Sequence, residues 1–468
     1  MSRAPISPRT RTGTPTRPSC TRRGSRTSGS PWCRGASSTA MAPGRRSTPS
    51  GRPQSHGPRP VACEAGSRPG RPGEGDPGAE GLLVIIGPCT VFTGGAEPAV
   101  IEEAAVRVVG GHIAQLGPAG NLASGHPDET LWPARGRVLM PGFVNTHAHL
   151  ARHLARGLGL RHPEEWKRYE RALSWEDVRA GVRAALVEGV RHGITTVCDF
   201  HRSGSWLDAS LRAVVDAARN VGVRVATCRG AAEDDTAYER RFAAEESREL
   251  AGELEKQREG KLRGMVGVQA STLGGIELLI GDAFEVAGDR MALHVDLALD
   301  LTPAERWRGR RAWRETALPS LWAHAETAPR ELVAAARERG DVISAAGLGS
   351  PATLAREADL AWGTDAGVNA LPVPHATSAW LFDARQYRTL FVNGPRWAAR
   401  HFGCGLGEIA PGAPADLLLA DYRPATELSS RTLMEHLGAG LLRAPVSGVM
   451  VSGEILMDNG VLVSADER

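Results

Sequence analysis

The sequence predicts an α/β protein: a TIM-like (β/α)8 barrel accompanied by a small β-sandwich that the two chain ends build together. Three observations predict it. Short apolar runs alternate with helical patterns over roughly 250 central residues, as a parallel barrel requires. Both ends instead read as short strands joined by glycine turns. Single polar residues end several of the central apolar runs, where a barrel carries its chemistry.

At 468 residues the chain exceeds what one hydrophobic core usually fills, so one large domain, a smaller one and some loose sequence are expected. Residues 1–81 form an Arg/Pro/Ser/Gly-rich segment with almost no apolar periodicity and are expected to be disordered. A misassigned start codon would account for them. Residues 82–138 together with 405–468 make the composite sandwich, and residues 139–404 the barrel.

Residues 1–80 carry 14 Arg against 4 acidic residues, so the overall net charge of +3 conceals a body near −7. An acidic body removes the compositional case for nucleic-acid binding. No apolar stretch approaches the eighteen or so residues of a membrane helix. The seven cysteines are scattered and form no CxxC pair, which argues against a disulfide framework or a cysteine zinc site and points to a reducing cytoplasm.

Element by element, order begins with LLVIIGPCTVFTG from Leu82, a β-rich run broken by Gly87-Pro88. A hairpin follows, with strands at 105–109 and 112–117 around Gly110-Gly111. In the centre, Ser210–Val221 is amphipathic, 224–227 is strand-like and 239–258 is a charged helix. Strands at 293–297, 321–324 and 341–344 follow, with a helix at 329–339. The chain closes on strands at 416–421, 446–451 and 454–457.

The sharpest local feature is VLMPGFVNTHAHL at Val138 to Leu150, an apolar strand running through a Pro-Gly turn into His147-x-His149. Residues i and i+2 of a strand point to the same side, so both imidazoles can reach one ion. His294 in MALHVDLA, His324 in LWAHAET and Asp365 in AWGTDAG each end or interrupt a later apolar run. This is the order that metal-assisted hydrolysis on a barrel needs.

This set, with LARG at 154–157 and GTD at 363–365, resembles the amidohydrolase superfamily in its chlorohydrolase and aminohydrolase branch. The motifs GITTVCDFHRS, GVRVATC, GMVGVQAS, LFVN and LGEIAPGAPADLLLADY are more particularly similar to the SsnA-type aminohydrolases. The resemblance spans almost all of residues 82–468. It implies that His147, His149, His294 and Asp365 ligate one divalent ion, Zn²⁺ first and Fe²⁺ second. Asp365 would also take a proton from the attacking water, and His324 would polarise the substrate. The lysines, 167, 256 and 261, fall in helical or loop sequence, so a carboxylated lysine bridging two metals is not expected.

The chain departs from its relatives in two places. Leu297 stands where deaminases of this branch carry a Glu three residues after the strand-five histidine, and Ser344-Ala345-Ala346 replaces a His-Asn-Pro-like motif. Asp296 and Asp300 are apparent substitutes for that Glu, but Asp296 is expected to face away from the pocket and to be structural. His201 and Arg202, at the end of the second barrel strand, are candidate substrate-binding residues, whereas His153 and Trp175 are assigned to packing or surface.

The expected function is hydrolysis of a non-peptide C–N bond, as a deaminase of a small heterocyclic or amidine-like substrate. The alternatives are a cyclic amide hydrolase and a degenerate barrel that only binds. The partner is a small molecule rather than nucleic acid or membrane, and a homodimer is left open. Deleting residues 1–80 should leave melting temperature and metal content unchanged, because that segment has no apolar pattern with which to pack. A large fall in either would refute the boundary.

Overall fold

The computed structural model describes residues 83–160, 162–204, 207–288, 290–297, 318–325, 328–346, 359–365 and 382–464. The expectations for residues 1–81, Leu82 and Asp300 fall outside these. Five strands come first: β1 (Leu83–Phe92), β2 (Val100–Val109), β3 (His112–Pro118), β4 (Thr130–Trp132) and β5 (Val138–Pro141). Nine follow in the centre: β6 (Phe143–Ala148), β7 (Ile194–His201), β8 (Arg224–Ala232), β9 (Leu262–Gly264), β10 (Val266–Ala270), β11 (Leu293–Leu297), β12 (Leu321–Ala323), β13 (Val342–Ala346) and β14 (Leu360–Gly363). The last four are β15 (Leu417–Ala420), β16 (Val446–Val451), β17 (Glu454–Asp458) and β18 (Val461–Leu462).

The two chain ends meet in one hydrogen-bonded sheet ordered β18-β17-β16-β15-β5-β1-β2-β3, with β4 beside β1. Val84, Ile86, Val106, Leu139, Leu419 and Met450 gather in its core. The hairpin at Gly110-Gly111 is present, both glycines taking positive φ. Gly87-Pro88 does not break β1; the pairing with β2 shifts register between Ile86 and Cys89 and the strand continues. β5 pairs with β1 as far as Leu139 and with β15 as far as Pro141, and the first of the central strands, β6, starts at Phe143.

The central strands run β6-β7-β8-β10-β11-β12-β13-β14, every pair parallel, with β9 beside β8. The amides of Thr364 and Asp365 donate to the carbonyl of His147 and close the circle from β14 to β6. β6, β7 and β8 are buried at every position, as expected of parallel strands covered on both faces. Helix Ser210–Val221 buries Leu211, Val214, Val215, Ala218 and Val221 and ends at Gly222, φ 91°. The helices Trp175–Arg191 and Ala237–Lys256 start on capping boxes, Ser174 with Asp177 and Thr236 with Glu239.

A buried ion pair ties the barrel to the end sheet. Arg224, at the start of β8, donates through Nε to Asp416 Oδ2 at 2.9 Å, and through Nη2 to Asp416 Oδ1 at 3.2 Å and Ser452 Oγ at 2.8 Å. Its guanidinium also lies 5.2 Å from the Phe402 ring centroid. Removing one partner strands the other charge in a buried setting. Asp416→Ala should therefore cost about 3 to 5 kcal/mol of unfolding free energy, read by denaturant titration. A loss under about 1 kcal/mol, the worth of an exposed pair, would show that solvent reaches the guanidinium.

Candidate active site

The polar residues singled out in the sequence converge at the C-terminal end of the barrel. His147 and His149 leave β6 on the same side with ring centroids 4.9 Å apart. Across the closing seam, Asp365 Oδ1 lies 3.7 Å from His147 Nε2, 3.6 Å from His149 Nε2 and 3.4 Å from His324 Nε2. His324 and Asp365 both hold φ of 56°, a left-handed conformation that non-glycine residues adopt at a cost and that recurs at functional sites. Gly363 is required just before the seam. A Cβ there would meet Ser344 Oγ at 2.4 Å and the backbone nitrogen of His147 at 3.2 Å.

Ser344 itself accepts a hydrogen bond from Thr146 Oγ1 at 2.8 Å, and Asn145 Nδ2 donates to Thr364 Oγ1 at 2.8 Å. These bonds pin β6 to its neighbours directly beneath the histidines. His294 is brought to the same place by β11, with Nε2 2.9 Å from His147 Nδ1. Donor atoms of His147, His149 and Asp365 lie within 4.8 Å of one another, as do those of His147, Asp296 and His324; His294 belongs to neither group.

The electrostatics suit a cation. Burial, reinforced by the Arg152 charge, lowers the His149 pKa to about 4, and burial together with His147 drives that of His294 well down. Both imidazoles are neutral near pH 7. His149 Nδ1 lies 2.9 Å from the Phe200 carbonyl, which can only accept, so the proton sits on Nδ1 and Nε2 presents a lone pair. That lone pair faces carboxylate oxygens of Asp296 and Asp365, both at 3.6 Å. Acceptors opposed to acceptors are reconciled by a positive charge between them. His147 Nε2 is buried without a hydrogen-bond partner, a cost of about 1 to 3 kcal/mol that a cation would remove. Burial alone would raise the Asp365 pKa, but His147 and His324 outweigh it and hold the carboxyl well below its usual range.

His149, Asp296, His324 and Asp365 line a cavity of about 950 Å³ together with Trp166, Lys167, Glu170, Arg202 and Gln269. The two expected substrate contacts, His201 and Arg202, are placed differently relative to this cavity. His201 is 1% exposed and does not line this cavity, since its side chain is buried inside the barrel wall. Arg202 reaches the cavity wall, where Glu170 at 3.2 Å and Asp235 at 3.4 Å engage its guanidinium. Asp296, expected to face away, points inward beside the imidazoles. The signal was present: Asp296 is two residues from His294, which places both on one face of β11.

Residues 138–296 match the model of the amidohydrolase family. The chain is 28% identical over 426 residues to a 5-methylthioadenosine/S-adenosylhomocysteine deaminase of Moorella thermoacetica, covering 82% of this chain and 96% of that protein. It is 24% identical to a 5'-deoxyadenosine deaminase of Methanosarcina barkeri, covering 82% and 95%. Among solved structures it resembles the zinc complex of the atrazine chlorohydrolase TrzN from Arthrobacter aurescens (TM-score 0.59, 20% identity, 82% and 97% covered). It also resembles a zinc-bound adenosine deaminase from Xanthomonas campestris (TM-score 0.59, 22% identity, 82% and 94% covered). With the parallel barrel and the joint sheet of its two ends, these likenesses mark residues 138–296 as an amidohydrolase-family segment and make the chain similar to aminohydrolases over most of its length.

Proposed function

We propose that the chain is a mononuclear metal-dependent aminohydrolase that removes an amino group from a small heterocycle. Adenosine derivatives are the first substrates to test, because the deaminases it resembles over nearly their whole length are named for them. The observation that carries the reading is the opposition of the His149 lone pair to two carboxylates beside the partnerless Nε2 of His147, at the wall of a cavity large enough for such a molecule. The proposed ligands are His147, His149, His294 and Asp365. Zn²⁺ is the first candidate and Fe²⁺ the second, since imidazoles with a carboxylate suit both. A small-molecule reaction of this kind fits the cytoplasm; among the described residues no helix is long and apolar enough to cross a membrane.

A divalent ion held by His147, His149, His294 and Asp365 would supply an activated water as the nucleophile at neutral pH. Asp365, kept ionised by the imidazoles around it, takes the proton released as water attacks the amino-bearing carbon. His324, on the cavity wall 3.4 Å from Asp365, is placed to donate to the ring atom on which negative charge develops. The Phe200 carbonyl keeps His149 in the tautomer that leaves Nε2 available.

Leu297 favours a second reading. It lines the cavity and is 1% exposed, with no carboxylate at that position, which suits hydrolysis of a cyclic amide, or ligand binding without turnover, better than release of an amine. Ammonia release measured over purine nucleosides, pyrimidines and guanidino compounds separates the readings; silence across all three, with cyclic amides cleaved, would replace deamination by amide hydrolysis.

The holoprotein should carry about one equivalent of divalent metal, lost in His147→Ala and in His294→Ala because each opens the coordination shell. Undiminished metal in both variants would sink the ligand set. Asp365→Asn should lower turnover by about 10²- to 10⁴-fold, the usual worth of a general base, while Leu297→Glu should raise ammonia release if only the last proton transfer is impaired. An unchanged rate in Asp365→Asn would remove that residue from the mechanism.

A further inference from the structure

Two carboxylates, not one, face the imidazole cluster. Asp296 leaves β11 on the same face as His294 and is 3% exposed. Its Oδ2 lies 3.6 Å from His149 Nε2 and its Oδ1 3.9 Å from His324 Nε2. Gln269, its register partner on β10, donates to Oδ2 from Nε2 at 2.7 Å and sets the posture of the carboxylate. Two further facts point to a ligand between these groups. The Nδ1 of His149 is taken up by the Phe200 carbonyl at 2.9 Å, which leaves Nε2 turned toward both carboxylates at 3.6 Å. The Nε2 of His147 is buried and has no partner.

We propose that Asp296 is a further metal ligand, joining Asp365 so that the ion sits among imidazoles and two carboxylates. The inference rests on the cluster being a metal site and adds a member to it. Its consequence is chemical: a second carboxylate brings a second negative charge and a harder donor. The shell should hold ions that accept five or six mixed nitrogen and oxygen ligands, such as Mn²⁺ and Fe²⁺, alongside Zn²⁺. If Asp296 were only an acceptor for Gln269, neutralising it would leave metal selectivity unchanged.

Asp296→Asn keeps the volume and an oxygen for Gln269 to donate to, but removes the charge. Binding of Mn²⁺ and Zn²⁺ to the metal-stripped full chain, measured by competition with a chelating indicator, should weaken for Mn²⁺ by about ten-fold or more and less for Zn²⁺. The visible absorption of the Co²⁺-loaded protein should change with it, since the ligand set changes. Asp296→Ser gives the same two readouts should the amide variant melt early. Unchanged affinities for both ions together with an unchanged Co²⁺ spectrum would overturn the proposal. The controls separate the two levels: if His147→Ala and His149→Ala lose metal while Asp296→Asn does not respond, only the role of Asp296 falls. If the histidine variants also keep their metal, the site reading itself falls.

Discussion

The amides of Thr364 and Asp365 both donate to the carbonyl of His147, at 2.9 and 3.0 Å, and the amide of His149 donates to the carbonyl of Asp365 at 3.0 Å. These three bonds join residues more than two hundred positions apart and close the barrel where its first and last strands end. They leave the side chains of His147, His149 and Asp365 little choice but to converge, since each flanks a bonded backbone group. The bareness of Gly363 lets the strands approach this closely. Everything chemical about the site follows from that closure.

Around the seam buried charges hold part of the cavity's wall. Arg152, in the turn that follows His149, donates through Nε to Glu170 Oε1 at 2.8 Å, and Arg202, just beyond β7, donates to Glu170 Oε2 at 3.2 Å. Burial would raise the Glu170 pKa, but the two guanidiniums outweigh it and keep the carboxyl ionised. Helix Pro163–Ala172, which carries Trp166 and Lys167 to the cavity, is thereby fastened to the strand ends that carry the histidines. Lys167 itself pairs with Asp234. These are positioning contacts: a buried pair adds little net stability, but losing one partner is costly, and the geometry is specified accordingly.

Much of this was legible in the sequence, and for a stated reason. A parallel barrel is buried on both faces, so its strands read as short, largely apolar runs, and Leu293–Leu297 falls where such a run does. The histidines and Asp365 were visible because a polar residue ending such a run needs a reason to be there. Gly87-Pro88 misled because a bulge lets a strand carry both residues without ending. The roles of His201 and Arg202 were not legible. Whether a strand-end cation faces a ligand or two carboxylates depends on Glu170 and Asp235, each more than thirty positions away.

Asp296 is the instructive case. Measured against the spacing of related deaminases, a carboxylate two residues after the histidine rather than three looks misplaced. Measured against the pleat, position 296 shares the inner face of β11 with His294, and Leu297 comes one step later, where the strand ends at the cavity margin. The sequence therefore places its carboxylate closer to the imidazoles than a residue at 297 would stand, and β10 supplies Gln269 at the matching register to hold it. A carboxylate so placed would act on a bound cation before it acted on a leaving group, and the chemistry of the cavity would then turn on how the charge of that ion were divided between Asp296 and Asp365.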